Sequence, residues 1–483
     1  MGATNSRFFF VLLSVGAAIG LGSIWLYPFF SFKITGLFFI PYSIALVLLG
    51  MPLLMLEFSI GRYFNKNVVD LFASIRKWFS GIGWLMIFNV FIVMSFYAVV
   101  LSWHIIYFFV SFGLQWKNGA EAYFFNNVLQ ASEGFKGFLQ FSLPVFIALM
   151  MAWIGIFFFI RKGYGSIKKA FLATIPIFAF LVILFFVYSL TLDNALFGVY
   201  SFLKPRFNQL LKLDIWFDSF SLAVLYLGLS FGIMHALGGK SEGNFIVGNS
   251  LIVVILKVLV SIAFSFILFG ILGFLSMEKG IDLDKLVFSD FGSEFTILAQ
   301  AFPLFYRPAL LSLLFFIFLS LFFLLGAASL ASSMSHVIVH KFKTKHVNAA
   351  IIVTGFGFLF GLLFIIKPGY YIMDIVSHFV YYNIVLCILL EVIAVGWFFE
   401  IERIAEYINQ YSILKIGGIW AFIVKYFAPL ILFALLFLQI KSDFAAPYKG
   451  YPLWALLVFG VGTVVVPLIV AFLMPQKILD RKK

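Results

Sequence analysis

The chain alternates long apolar runs with short polar interruptions. Twelve runs are long enough to cross a bilayer as helices, at about 8–30, 36–61, 83–113, 141–160, 170–190, 216–239, 244–275, 308–338, 348–367, 374–398, 418–439 and 451–474. Inside hydrocarbon each segment must pair its own backbone groups, so the pattern predicts an all-α polytopic membrane protein surrounded by the lipid bilayer. The basic residues are placed unevenly. Arg62, Lys66, Arg76 and Lys77 follow the second run, and Arg161, Lys162, Lys168 and Lys169 follow the fourth. Lys341, Lys343, Lys345 and the tail Arg481–Lys483 fall on the same side. With these loops inside, both termini are expected to be cytoplasmic. The loops at about 114–140, 191–215 and 276–307 are longer, mixed in charge, and expected outside.

Two runs are unusual. Ser14–Pro28 reads SVGAAIGLGSIWLYP, with Gly16, Gly20 and Gly22 close together, and Tyr226–Gly239 reads YLGLSFGIMHALGG. Each interior glycine costs a helix about 1 kcal/mol against alanine, so these are places where helix can give way. Freed backbone at membrane depth survives only where it lines a cavity or is buried in protein. Freed carbonyls suit a cation, and the N-terminus of a following half-helix suits an anion. Either stretch alone also suits a close helix–helix contact through small residues. However, the two are runs one and six, at corresponding positions of two five-span halves. An odd number of spans inverts the second half against the first. The prediction is a five-plus-five inverted repeat with unwound helices 1 and 6, occupying 1–410 (spans 1–5 at about 7–190, spans 6–10 at about 214–400). Residues 411–483 add two C-terminal spans.

Composition narrows the class. Hydrophobic residues make up 64% and charged residues only 11%, which excludes a soluble chain. The net charge of +13 sits in short loops beside apolar runs, which argues against a nucleic-acid partner. A lone cysteine, Cys387, excludes an internal disulfide and a cysteine metal site. No signal-peptide cleavage site is clear, so the first run is expected to be retained. Walker loop, nucleophile elbow and His–Glu zinc motif are all absent, so neither an enzyme nor an organic cofactor is expected. Lys257 lies midway through the seventh run, where a lysine costs about 3 kcal/mol to insert, and an intramembrane charge is a functional candidate by default. Glu57 is a second such residue. His336 and His340 share a helix face at i, i+4, without a third ligand in view. His235 reads as a polar brace; a metal role would need partners the sequence does not identify.

Several motifs then combine. The first run carries Ser6 and Arg7, then GAAIGLGSIWLYP; the second carries Gly50, Met51, Pro52, Glu57, Gly61, Arg62 and Tyr63. Tyr97 is followed by Ser102 and Trp103, and KGYGSIKKAFLATIPI enters the fifth run. Over nearly its whole length the chain resembles the neurotransmitter:sodium symporter family. That resemblance implies sodium-coupled symport of an amino acid, expected to be hydrophobic, by alternating access. The setting would be a bacterial inner (plasma) membrane, and a homodimer is compatible. It implies a carboxylate site at Leu21, Gly22 and Tyr97, and an amine site at Ala18, Leu225, Tyr226 and Gly228. Phe231 would be the lid, and Ser329 a further substrate-binding residue.

The resemblance also implies sodium ligands, with departures. The second sodium site would use Gly16, Ile19, Leu325 and Ser329, but Ala328 stands where the family has another hydroxyl. The first would use Ala18 and Ser23, and its seventh-span ligand falls at Leu256 or Lys257. One or two sodium ions therefore fit. In the alternative, Lys257 replaces one sodium as a tethered cation, or carries a proton, giving a sodium-independent or proton-coupled transporter or exchanger. A non-transporting channel or receptor is the remaining class. The family's outer gate pair falls at Leu26 and Ser377, leaving Asp374 and His378 as a different latch. At the inner end Lys240, Lys341 and Lys343 gather, with Glu242 as a candidate partner. Glu57 is expected to brace the broken helices.

Overall fold

A computed structural model describes residues 3–18, 27–34, 38–205, 207–240, 245–287, 292–412 and 414–474. The described chain is helical throughout; its only β-type pairing is a single bridge, Phe141 with Ile366. We number the main helices in order: α1 Ala3–Ala18, α2 Tyr27–Ile34, α3 Phe39–Phe64, α4 Val68–Ile75, α5 Lys77–Val110, α6 Leu143–Ile160, α7 Tyr164–Thr191, α8 Ala195–Leu203, α9 Leu213–Leu225, α10 Ile233–Gly239, α11 Ile246–Lys279, α12 Pro308–Phe342, α13 His346–Phe364, α14 Gly369–Phe398, α15 Ile401–Tyr411, α16 Gly418–Gly450 and α17 Leu453–Leu473.

Among the described residues, ten helices are long and apolar enough to cross a membrane: α3, α5, α6, α7, α11, α12, α13, α14, α16 and α17. They coincide with ten of the twelve predicted spans. The other two predicted spans are the glycine-dense ones. They fall on the shorter pairs α1 with α2 and α9 with α10. Residues 19–26 lie outside the described residues, and with them the middle of the first glycine-dense stretch. The long loops carry short helices, such as α8, which meets α11 backbone to backbone where Gly198 faces Gly273.

Burial sorts the spans. In α5 83% of the most apolar window is buried, against 22% in α7 and α17. Helix α5 therefore runs through the centre, packed along α12, while α7, α16 and α17 form the rim. The rim exposes Phe180, Ile183, Val187, Phe433 and Phe437, side chains that only hydrocarbon would accept in such density. This is a multi-pass membrane protein.

Between the seventh and eighth spans the loop buries Glu294, whose carboxylate lies 3.5 Å from His104 Nε2. Tyr107 is the other titratable neighbour. Burial pushes the Glu294 carboxyl up to about 8. The folded chain thus holds a proton that the unfolded chain releases near 4.5. Stability from this group is full below that value and declines as pH climbs towards 8. The thermal midpoint of Glu294→Gln should lack that decline; two curves that run parallel across the window would refute the assignment.

Candidate functional site

The sixth predicted span is helical at both ends and not in the middle. Helix α9 stops at Leu225 and α10 starts at Ile233. Between them Gly228 (φ 70°), Ser230 (φ 64°) and Gly232 (φ 68°) adopt left-handed backbone. Glycine takes that conformation freely; Ser230 does not, and side chains brace it in place. The Ser230 amide donates to Glu57 Oε1 of α3 at 2.6 Å. Ser333 Oγ of α12 donates to the Phe231 carbonyl at 2.7 Å. Two buried backbone groups freed by the interruption are thereby satisfied from neighbouring helices. Ser333→Ala should leave that carbonyl unpaired and cost about 1–3 kcal/mol. Faster amide exchange across 226–233 with exchange elsewhere unchanged is the expected readout; unaltered exchange there counts against the brace.

Of the predicted binding residues, Leu225, Tyr226, Gly228 and Phe231 lie in or next to this interruption. Tyr226 follows the last residue of α9, and Tyr97, Tyr42 and Tyr381 lie within electrostatic reach of it. Tyr97 sits against α12 at Gly326, where an added Cβ would lie 3.2 Å from its ring. Leu325 precedes that glycine, and its carbonyl accepts from Ser329 Oγ at 2.8 Å. Lys257 on α11 is buried, with Nζ 5.7 Å from the centre of the Tyr226 ring. Gly16 near the end of α1 is packed on Phe171, and Ala18 is the last described residue of that helix. Ile19, Leu21, Gly22, Ser23 and Leu26 lie outside the described residues.

A cavity of about 230 Å³ runs from Ser329 and Leu13 past Ser333 to Tyr164, Lys240 and His336. Lys240 stands over the Tyr164 ring at 4.0 Å. Lys341 pairs with Asp70 of α4 at 2.7 Å, a partner the sequence did not suggest. Glu242, the expected partner, lies outside the described residues. The His336 and His340 rings are 4.4 Å apart, and both line this cavity.

At the opposite end Asp374 and His378 face the C-terminal spans. Asp374 accepts from Tyr451 at 2.8 Å and pairs with Lys449 at 3.0 Å, the first just past the end of α16 and the second in its last residues. His378 Nε2 is 2.8 Å from Asp443 Oδ2 of α16, and its ring stacks on Tyr448.

Glu57 belongs to a larger constellation. Its Oε2 lies 3.3 Å from His235 Nδ1, and His235 Nε2 lies 3.1 Å from Glu391 Oε1 of α14. All three side chains are buried. Glu391 escaped the sequence reading although it meets the criterion that flagged Lys257, a charge deep within an apolar run. Helix α10 approaches α3 closely enough for this because Gly61 and Gly238 face backbone at the crossing.

An interrupted helix braced by buried polar groups, among ten apolar spans, is an arrangement that membrane transporters use for a solute site. The model of the sodium:neurotransmitter symporter family matches residues 2–122 and 115–480, and the chain belongs to that family. It is 31% identical over 455 residues to an uncharacterized sodium-dependent transporter of Methanocaldococcus jannaschii, covering 92% of each chain. It is 28% identical over 489 residues to sodium-dependent nutrient amino acid transporter 1 of Drosophila virilis, covering 88% of this chain and 75% of that one. With sodium- and chloride-dependent GABA transporter 2 of Homo sapiens it shares 26% identity over 454 residues, 85% of this chain and 75% of that one.

Proposed function

We propose that the protein is a sodium-coupled amino-acid symporter working by alternating access, with both termini cytoplasmic in a bacterial-type plasma membrane. The carrying observation is the braced interruption at 226–232, read with the family membership. The glycine-dense stretch of span one, at the corresponding position of the first half, supports an inverted repeat whose two interrupted helices meet at the substrate. In this reading Leu21, Gly22 and Tyr97 take the carboxylate. The carbonyls of Ala18, Leu225, Tyr226 and Gly228 take the ammonium, under Phe231. Spans 1, 2, 6 and 7 rock against spans 3, 4, 8 and 9.

Sodium is cargo as well as coupling ion. Leu325 and Ser329 already place two oxygens side by side on α12, and α1 packs against that helix. Gly16 and Ile19 carbonyls would complete the site. Ala18 and Ser23 are what remain of the first sodium site. The buried ammonium of Lys257 near Tyr226 favours a variant of the reading, in which it takes that first ion's place and coupling uses one sodium. Reciprocal linkage then requires the substrate to tighten sodium binding by the factor that sodium tightens substrate binding.

A thermal-shift screen of the standard amino acids, in sodium and in choline, identifies the substrate. Uptake into proteoliposomes under imposed sodium or pH gradients then decides the coupling. Accumulation driven by sodium supports the proposal. Accumulation driven only by pH replaces it with proton coupling through Lys257, and accumulation under neither gradient removes transport altogether.

A further inference from the structure

The contact between α10, α3 and α14 contains more ionisable chemistry than a brace requires. Glu57 alone satisfies the Ser230 amide. His235 and Glu391 add an imidazole and a second carboxylate, both buried. We propose that Glu57, His235 and Glu391 form a proton-binding site that locks the second half of span six onto spans two and ten, and that losing the proton releases it. The inference does not depend on which solute is carried or on sodium coupling.

The geometry carries the argument. His235 presents its two ring nitrogens to two different carboxylates, Nδ1 to Glu57 at 3.3 Å and Nε2 to Glu391 at 3.1 Å. A neutral imidazole has one N–H, so one nitrogen would turn a lone pair towards an anion. Only an added proton, on the ring or on the facing carboxyl, makes both contacts attractive. Without it two carboxylates would be buried beside an uncharged ring, an expensive arrangement. The three residues also bring possible metal-ligating atoms within 4.8 Å of one another. A single ion, however, would take one ring nitrogen and leave the other against a carboxylate, so the bridging arrangement favours the proton.

The neighbours fit a switch. Glu57 joins the proton to the interruption, because the same carboxylate holds the Ser230 amide. Cys387 of α14 is the other titratable group close by, with its thiol on the Ile82 carbonyl. The Phe72 ring of α4 meets the imidazole in an edge-type contact, with ring centres 6.0 Å apart. On the remaining side His235 reaches the edge of a cavity of about 790 Å³, into which Lys66, Asp70, Lys77, Lys240, His336 and His340 project. That polar opening, next to the fully buried imidazole, is the route the proposal assigns to proton exchange. Release of the proton leaves like charges facing across α10, and repulsion favours its separation from α3 and α14.

The test uses the full-length protein in nanodiscs, without ligand. Hydrogen exchange of residues 226–240, corrected for intrinsic chemistry, is followed against pH. One linked proton predicts local opening that rises tenfold per pH unit between the titration points of the opened and the closed site, and levels off above the latter. His235→Gln should abolish that dependence. Infrared spectra of Glu391→Gln and the wild type provide an independent readout, since the proton's carrier shifts with the second carboxylate's removal. A flat exchange profile in the wild type, or one that His235→Gln leaves unchanged, overturns the proposal. So does stabilisation of the wild type by zinc or manganese that is lost in His235→Gln, which would assign the cluster to a metal.

Discussion

Gly61→Ala is expected to dislodge the second half of span six. A Cβ on Gly61 would lie 2.1 Å from the His235 carbonyl oxygen and 2.7 Å from its Cα. These are backbone atoms of a facing helix, so no flexible side chain can yield. Gly238 makes the reciprocal contact, its added Cβ lying 2.2 Å from the Phe58 carbonyl oxygen. Overpacking of this kind costs about 1–3 kcal/mol where side chains can shift, and more where two backbones must part. Any separation of α10 from α3 also stretches the Ser230–Glu57 bond and the His235 contacts, so binding should fail together with stability. Gly355→Ala is the control. That glycine is helical with nothing within 4 Å of an added Cβ, so alanine should be neutral or stabilising by a few tenths of a kcal/mol or more. Thermal unfolding in detergent and substrate-induced stabilisation are the measurements. A Gly61→Ala protein as stable as Gly355→Ala would show that α10 is not clamped by this crossing.

Much of the architecture was legible because hydrocarbon permits so few solutions. The ten uninterrupted spans follow from run length alone, and most of their ends move by a few residues, as where α7 begins at Tyr164 through the basic stretch Lys168–Lys169 rather than at 170; the largest shift is in α16, which continues to Gly450 rather than 439. Glycine density marked span six, and the structure breaks the helix between Leu225 and Ile233, inside the marked stretch. The partners were harder to read. Lys341 meets Asp70 across 271 positions, and Ser333 meets the Phe231 carbonyl across 102. Spacing along a helix reports its faces but not which neighbour each face meets. Asp374 and His378 show the same limit. Both are polar residues of the tenth span, but their partners Asp443, Lys449 and Tyr451 lie on the eleventh span or just past its end, more than sixty positions along the chain. His235 was read as a brace because its carboxylates come from α3 and α14, far away in sequence.

Lys257→Met carries the second large effect. The lysine costs the inserted chain about 3 kcal/mol, so methionine of similar length should leave the protein at least as stable. If the ammonium stands where a sodium would, its loss removes the cation nearest the substrate carboxylate. A charge-assisted contact is worth about 1.5–3 kcal/mol, which corresponds to a roughly ten- to hundredfold fall in substrate affinity. Stability and affinity then move in opposite directions, which separates this outcome from simple misfolding. Lys257→Asn sharpens the test, because it returns a neutral oxygen where the ammonium stood. A second sodium could then enter, and the sodium dependence of substrate binding should steepen from one ion towards two. Sodium titrations monitored by calorimetry on the wild type and both variants read this directly. The ammonium of Lys257 is placed for the role by its burial and by its position near Tyr226, the first residue beyond α9. Unchanged affinity and an unchanged sodium profile in both variants would reduce Lys257 to a static charge in the packing of span seven.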